Sequence, residues 1–116
     1  MSAPAEIAIE RRGGVVVAHL AGEVDMTNAT YVRDELVGSI PNDALGMVLD
    51  LARCRYLDSA AIEVVFDLAR RLARRRQGLY VALGPESPLR RVLELTDVGA
   101  VAPLHDSLDD AVAAVG

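Results

Sequence analysis

The sequence predicts an α/β domain: a mixed, mostly parallel sheet of four to five strands, about four helices and an opening β-hairpin. Three observations carry this. Two short segments meet at Gly13-Gly14, a two-residue hairpin signal. Strand-like and helix-like segments then alternate to the end of the chain, the pattern of crossover connections and parallel pairing. Leu45 to Leu51 is apolar except for Gly46 and Asp50, as suits a strand buried on both faces of a parallel sheet.

The elements follow in order. Glu6 to Arg12 alternates apolar and polar residues and reads as the first strand. Val15 to Leu20 is the second, and Ala21 to Asp25 leaves it. Thr27 or Asn28 can cap a helix running to about Val37, ended by Gly, Pro and Asn within Gly38 to Asn42. After the apolar strand, a long helix runs from about Ser59 to Arg76. Its apolar positions Ile62, Val65, Phe66, Ala69, Leu72 and Ala73 recur every three or four residues and form one stripe. Gly78 is its stop signal. Leu79 to Leu83 is the next strand. Ser87-Pro88 opens a helix, with Ser as cap and Pro in the first turn, which ends near Thr96. Val101 to Leu104 is a short last strand, and Ser107-Leu108-Asp109-Asp110 caps a final helix.

Composition bounds the function. A length of 116 residues fits one domain, 1–116. Hydrophobic residues at 52% with charged residues at 25% support a packed core, with disorder expected only over Met1 to Ala5. No apolar run reaches the ~20 residues of a membrane span, and the start lacks the pattern of a secretory signal. A cytoplasmic protein without membrane attachment is expected. The net charge of −5, one Phe and no Trp argue against direct nucleic-acid binding. Cys54 is the single cysteine, so no internal disulfide forms. With His19 and His105 far from it in sequence, no metal site is expected. Neither a phosphate-binding Gly-Lys loop nor Gly-x-Gly-x-x-Gly is present, and no cofactor is expected.

Sites on such sheets lie beyond the carboxyl ends of the strands, at helix N-termini. Gly22 to Asn28 and Leu57 to Ala61 meet that description. If their strands are neighbours, Asp25, Asp58 and Ser59 come together. Ser59 has two readings: a helix cap, shared with Asp58, or a phosphoacceptor whose added charge the helix N-terminus tolerates. A nucleophilic role lacks the Gly-x-Ser-x-Gly elbow and a histidine partner, so no catalytic residue is assigned. Asp25 and Asp58 read as loop and cap residues rather than an acid–base pair. Arg74-Arg75-Arg76 reads as a solvated face at a helix C-terminus. Cys54 between two arginines reads as a structural thiol, with a lowered pKa the alternative. His19 and His105 read as surface or edge residues.

The ordered set of motifs resembles the STAS domain family. His19-Leu20-Ala21-Gly22-Glu23-Val24-Asp25 is similar to the family's Leu-x-Gly-Glu-x-Asp opening. Val48-Leu49-Asp50-Leu51 followed by Leu57-Asp58-Ser59 resembles its buried strand and Asp-Ser phosphorylation loop. Pro88 to Val98 and Ser107 to Ala111 resemble its last two helices. The resemblance implies a STAS-like fold and the role of the family's standalone bacterial members, the anti-sigma factor antagonists. Such a protein binds an anti-sigma factor serine kinase and frees the sigma factor. It is released when its serine is phosphorylated, and a metal-dependent serine phosphatase resets it.

By motif position the resemblance implies Ser59 as phosphoacceptor. The docking surface would comprise Asp25, Met26, Thr27 and Asn28 with Asp58, Ser59, Ala60, Ala61 and Glu63. The chain departs from the pattern at Ala60-Ala61, where the family usually has a small residue and then Gly. The alternative is an unphosphorylated STAS scaffold or sensor subunit binding a protein or small ligand. A small hydrolase using Ser59 or the Asp pair is the reading from another class. A monomer or weak dimer is expected.

Overall fold

The computed structural model describes residues 4–115. The order is β1 (Glu6–Arg12), β2 (Val15–Val24), α1 (Ala29–Gly38), β3 (Gly46–Leu57), α2 (Ser59–Arg74), β4 (Gly78–Ala82), α3 (Pro88–Leu95), β5 (Leu104–His105) and α4 (Leu108–Ala114). The five strands form one sheet in the order β1-β2-β3-β4-β5. β1 and β2 are antiparallel around Gly13-Gly14, and every other pairing is parallel. The predicted fold class and hairpin are borne out. Of the expected loose start, residues 1–3 lie outside the described residues, and Ala5 packs against the core.

The sheet divides two apolar layers by the alternation of strand side chains. Val16, Ala18, Leu20, Met47, Leu49 and Leu51 face α1, α2 and α3 in the larger core. Val15, Val17, Val48 and Ala82 face Ala111 of α4 in a smaller one. Within α2 the buried stripe is Ala61, Ile62, Val64, Val65, Leu68, Ala69 and Leu72. It is rotated from the predicted stripe, leaving Phe66 half-buried and Ala73 exposed. The rotation brings Leu68, fully buried, onto the sheet.

Four elements have boundaries that differ from expectation. β2 continues through Val24 and β3 through Leu57 instead of ending at Leu20 and Leu51. Two register shifts accommodate this, between His19 and Ala21 and between Gly22 and Glu23; at each, β3 carries one residue more than β2, a β-bulge. Asp50 Oδ1 accepts the Ala52 N–H at 3.1 Å beside the first bulge. Gly22 adopts φ +90° at the second. The polar run Arg53-Cys54-Arg55-Tyr56 hid this extension.

α2 stops at Arg74 rather than Arg76. Arg76 itself takes the left-handed position, φ 59°, and the Gln77 N–H closes on the Leu72 carbonyl at 2.8 Å, so Gly78 is free to start β4. Past the helix end, Gln77 Nε2 donates to the carbonyls of Pro41 and Ala44, and Arg75 donates to Ile40 O and Asn42 Oδ1. Arg75 is therefore a clamp on the α1–β3 loop, not part of a purely solvated face. The last strand is Leu104–His105 rather than Val101–Leu104, because Val98–Ala100 forms a 3₁₀ turn that carries Val101 outward.

Gly22 is the position where the extension depends on glycine. Its φ lies where L-residues are strained, and a Cβ would run into the Pro4 carbonyl oxygen. Gly22→Ala is expected to cost at least about 1–2 kcal/mol. Gly38→Ala, at a helix end with open space around it, should be neutral or stabilising by up to about 1 kcal/mol. Urea unfolding of both variants checks the pair.

Candidate functional site

Because β2 and β3 are parallel neighbours, their carboxyl ends place the β2–α1 and β3–α2 loops side by side. The last register pair is Val24↔Leu57, and the Asp58 N–H donates to Val24 O at 3.2 Å. The two strands are neighbours, and Asp25, Asp58 and Ser59 are thus brought together.

Asp58 joins the two loops. Its backbone is extended, φ −96° and ψ −172°, and it is the N-cap of α2. Oδ1 accepts the Ala61 N–H at 3.1 Å, while Oδ2 accepts the Met26 N–H at 3.0 Å from the other loop. One carboxylate therefore starts the helix and fixes the neighbouring loop. The cap is Asp58 and not Ser59. Ser59 is the first helical residue and is exposed. Among the described residues no hydrogen bond engages its hydroxyl or the N–H groups of Ser59 and Ala60.

The β2–α1 loop is built by its own side chains. Asp25 Oδ1 accepts from the Thr27 N–H at 2.9 Å and the Thr27 hydroxyl at 2.5 Å. The Thr27 hydroxyl, then the Thr27 N–H, hold the Asp25 carboxyl below its usual range. Asn28 occupies the N-cap position of α1 but its side chain does not cap the helix. Its Oδ1 accepts from the Asp25 N–H at 3.0 Å and its Nδ2 donates to Glu23 O at 2.9 Å. Capping by Thr27 or Asn28 side chains is therefore corrected: both close the loop instead.

The surface that results is uneven. Met26 is 80% exposed, and Thr27, Ser59 and Glu63 are exposed. Ala61 is only 2% exposed, so its methyl belongs to the core and offers a partner nothing, contrary to its place in the expected docking set. Two shallow grooves flank Ser59 and the first turns of α2. One, against α1, is lined by Met26, Arg33, Ala60, Glu63 and Arg70. The other, against α3, is lined by Ser59, Ile62, Phe66, Val92 and Thr96.

His19 is not the ordinary surface or edge residue that its sequence context suggests, but lies on the interior strand β2. Its Nδ1 lies 2.7 Å from Asp50 Oδ2 and its Nε2 lies 2.5 Å from Glu10 Oε1, a cluster across three strands. The signal was present in the sequence. Counting the hairpin register outward from Gly13-Gly14 pairs His19 with Ala8, which puts Glu10 on its diagonal. His105 is half-buried beside the Tyr80 ring. Cys54 is buried and burial pushes its thiol up, so the lowered-pKa alternative is not what the fold provides. Among the described residues no cluster of His, Cys, Asp or Glu is arranged to hold a metal. No helix among them is long and apolar enough to cross a membrane.

The sequence pattern of the STAS domain matches residues 6–111. The chain belongs to the STAS domain family. This STAS domain is 30% identical over 109 residues to BtrV of Bordetella bronchiseptica, a candidate anti-sigma factor antagonist by name, covering 94% of this chain and 93% of that protein. It is 25% identical over 103 residues to the anti-sigma F factor antagonist of Paenibacillus polymyxa, covering 88% and 87% of the two chains. The crystal structure of an anti-sigma factor antagonist from Mycobacterium paratuberculosis superposes with a TM-score of 0.85 at 26% identity, over 99% of this chain and 98% of that one.

The cap assignment in this STAS domain can be checked directly. Asp58→Ala is expected to cost about 1–2 kcal/mol, since it removes the cap and the Met26 contact together. Ser59→Ala should stay within about 0.5 kcal/mol. Denaturant unfolding of the two variants separates the residue that builds the loop from the one left free on it.

Proposed function

We propose that this STAS domain is an anti-sigma factor antagonist working as a phosphorylation-controlled partner switch, with Ser59 as phosphoacceptor. The observation that carries the reading is the division of labour at the loop. Asp58 does all the structural work of the cap, and the adjacent Ser59 hydroxyl is exposed and unused. The names of the relatives support the antagonist role. The partner is an anti-sigma factor serine kinase docking on Met26, Thr27, Asp58, Ser59, Ala60 and Glu63, with Asp25 and Asn28 holding the loop in shape from behind.

The chemistry follows from the position. The kinase transfers the γ-phosphoryl group of ATP to Ser59 Oγ: the Oγ–P bond forms, the bond to ADP breaks, and the serine proton passes to a base on the kinase. The phosphoserine carries about −1.5 to −2 charge. The free Ser59 and Ala60 N–H groups and the helix dipole accommodate it without unfolding α2. The carboxylates of Asp25, Asp58 and Glu63 already make this surface acidic, so the new charge falls on a surface a partner had matched in its unmodified state. Beside these carboxylates and inside a docked interface, the phosphate disrupts binding by like-charge repulsion within the site and by the cost of its own desolvation, and the complex dissociates. A metal-dependent serine phosphatase restores the hydroxyl. The use of ATP places the cycle in the cytoplasm.

The burial of Ala61 supports this reading at the point where the chain departs from the family pattern. Its methyl is turned into the core and does not crowd the Ser59 hydroxyl. The competing reading is a scaffold that binds its partner without being phosphorylated. Intact-mass measurement after incubation with ATP and the cognate anti-sigma factor should show one added phosphate, absent in Ser59→Ala. Ser59→Asp should weaken binding at least about tenfold, while Ser59→Ala binds as the parent does. Unchanged binding by Ser59→Asp, with no phosphate from a kinase that demonstrably binds, would establish the scaffold.

A further inference from the structure

We infer that Glu10, His19 and Asp50 form a proton-operated clasp that ties the edge strand β1, across β2, to the bulged half of β3. The geometry itself calls for the charged ring. A carboxylate only accepts hydrogen bonds, and a neutral imidazole has one N–H and one lone pair. Both ring nitrogens face carboxylate oxygens, at 2.7 Å and 2.5 Å. Both contacts can be made at once only by the imidazolium. The hydrogen bond that His19 donates to Glu10, ahead of the one it donates to Asp50, raises the His19 pKa above its ordinary value, and the same bond lowers that of Glu10.

The two contacts are not equivalent. The Asp50 side chain is 15% exposed, and its other oxygen holds the Ala52 N–H at the bulge. The Glu10 side chain is 40% exposed on the edge strand and has Arg12 as a second partner. When His19 loses its proton, the remaining N–H stays with Asp50, and Glu10 turns to solvent and Arg12. The clasp therefore opens on the β1 side.

The surroundings contain the other charges that bear on it. On β1 these are Glu6, the other diagonal neighbour of His19, with Glu10 and Arg12, and on β3 they are Asp50 and Arg53, which lines the same shallow depression on the open sheet face. From α4, Asp109 reaches Arg12 at 3.6 Å. β4 contributes Ala82 opposite Asp50, and β5 contributes His105 beyond it. The His19 side chain is 35% exposed, so solvent can exchange its proton.

The direction with pH follows from linkage. A group whose pKa is raised on folding stabilises below its unfolded value, near 6.5 for histidine, and loses that contribution as pH rises through the folded value. Glu10, lowered on folding, contributes above its unfolded value and loses that as pH falls through the folded one. The clasp is at full strength between these limits and opens on the alkaline side.

NMR titration of the His19 ring in the full chain, with amide hydrogen exchange of β1 and β3, tests this. His19 should titrate above the ordinary histidine value. Exchange protection of β1 amides, corrected for intrinsic pH dependence, should fall about three- to tenfold across that same transition, the range for one partly exposed charge-assisted hydrogen bond. Protection of Val48 and Leu49 should hold constant. Glu10→Gln, which leaves the core untouched, should move the His19 titration back toward its ordinary value and abolish the pH dependence of β1. The inference is overturned if His19 titrates at or below the ordinary value, if Glu10→Gln leaves its titration unmoved, or if β1 protection ignores the protonation of His19.

Discussion

Everything in this fold depends on the central pair β2 and β3. Val15 to Ala18 and Met47 to Leu49 are all nearly or fully buried, with helices over both faces. Their backbone groups can be satisfied only by each other and by the flanking strands, since water does not reach them. Parallel pairing requires that the chain cross over between the two strands, and α1 is that crossover. The same requirement sends both strands out at one end of the sheet. The neighbourhood of the two functional loops is thus a consequence of how two valine- and leucine-rich segments escape water.

Two aspartates repeat one physical device at either end of the β3 extension. Asp50 accepts the N–H of Ala52 beside the first bulge, and Asp58 accepts the N–H of Ala61 where the helix begins. At both places regular hydrogen bonding is interrupted and a donor is left over, and a short carboxylate is the side chain best able to reach it. Each then spends its second oxygen on a different strand or loop, Asp50 on His19 and Asp58 on Met26. Acidic residues that look like chemistry in the sequence are mostly occupied by the backbone. What remains available at the site is a hydroxyl and the unclaimed end of a helix.

The elements that depend on local signals were legible. Gly13-Gly14 marked its hairpin, Ser87-Pro88 and Ser107 their helix starts, and the apolar run its buried strand. The order of motifs also located the loop that carries Ser59. What was not legible depended on long-range pairing. The second halves of β2 and β3 carry Gly22, Glu23, Arg53 and Arg55, which no strand pattern favours; they are strands because each is the other's partner. The left-handed Arg76 ended α2 where Gly78 was the expected stop, because Gln77 and Arg75 are needed to hold the 40–44 loop. The choice between Asp58 and Ser59 as cap turned on which backbone was extended, and the sequence offers both residues with equal propensity. The His19 cluster was concealed differently: its three members lie on three strands, and only the hairpin register relates two of them.

The strand order has a consequence for the growing chain. The hairpin closes over two residues, but Val16 must wait for Met47, 31 positions later by the register Val16↔Met47. Until then β2 presents an unpaired, valine-rich margin, while β1 guards the opposite margin with Glu10, Arg11 and Arg12. Contacts of such sequence separation are made late and set the folding rate, and an unpaired apolar strand is a template for the wrong neighbour. During synthesis the margin that most needs shielding has no partner until the third strand is made, and its protection at that stage is kinetic: the speed with which α1 and β3 arrive.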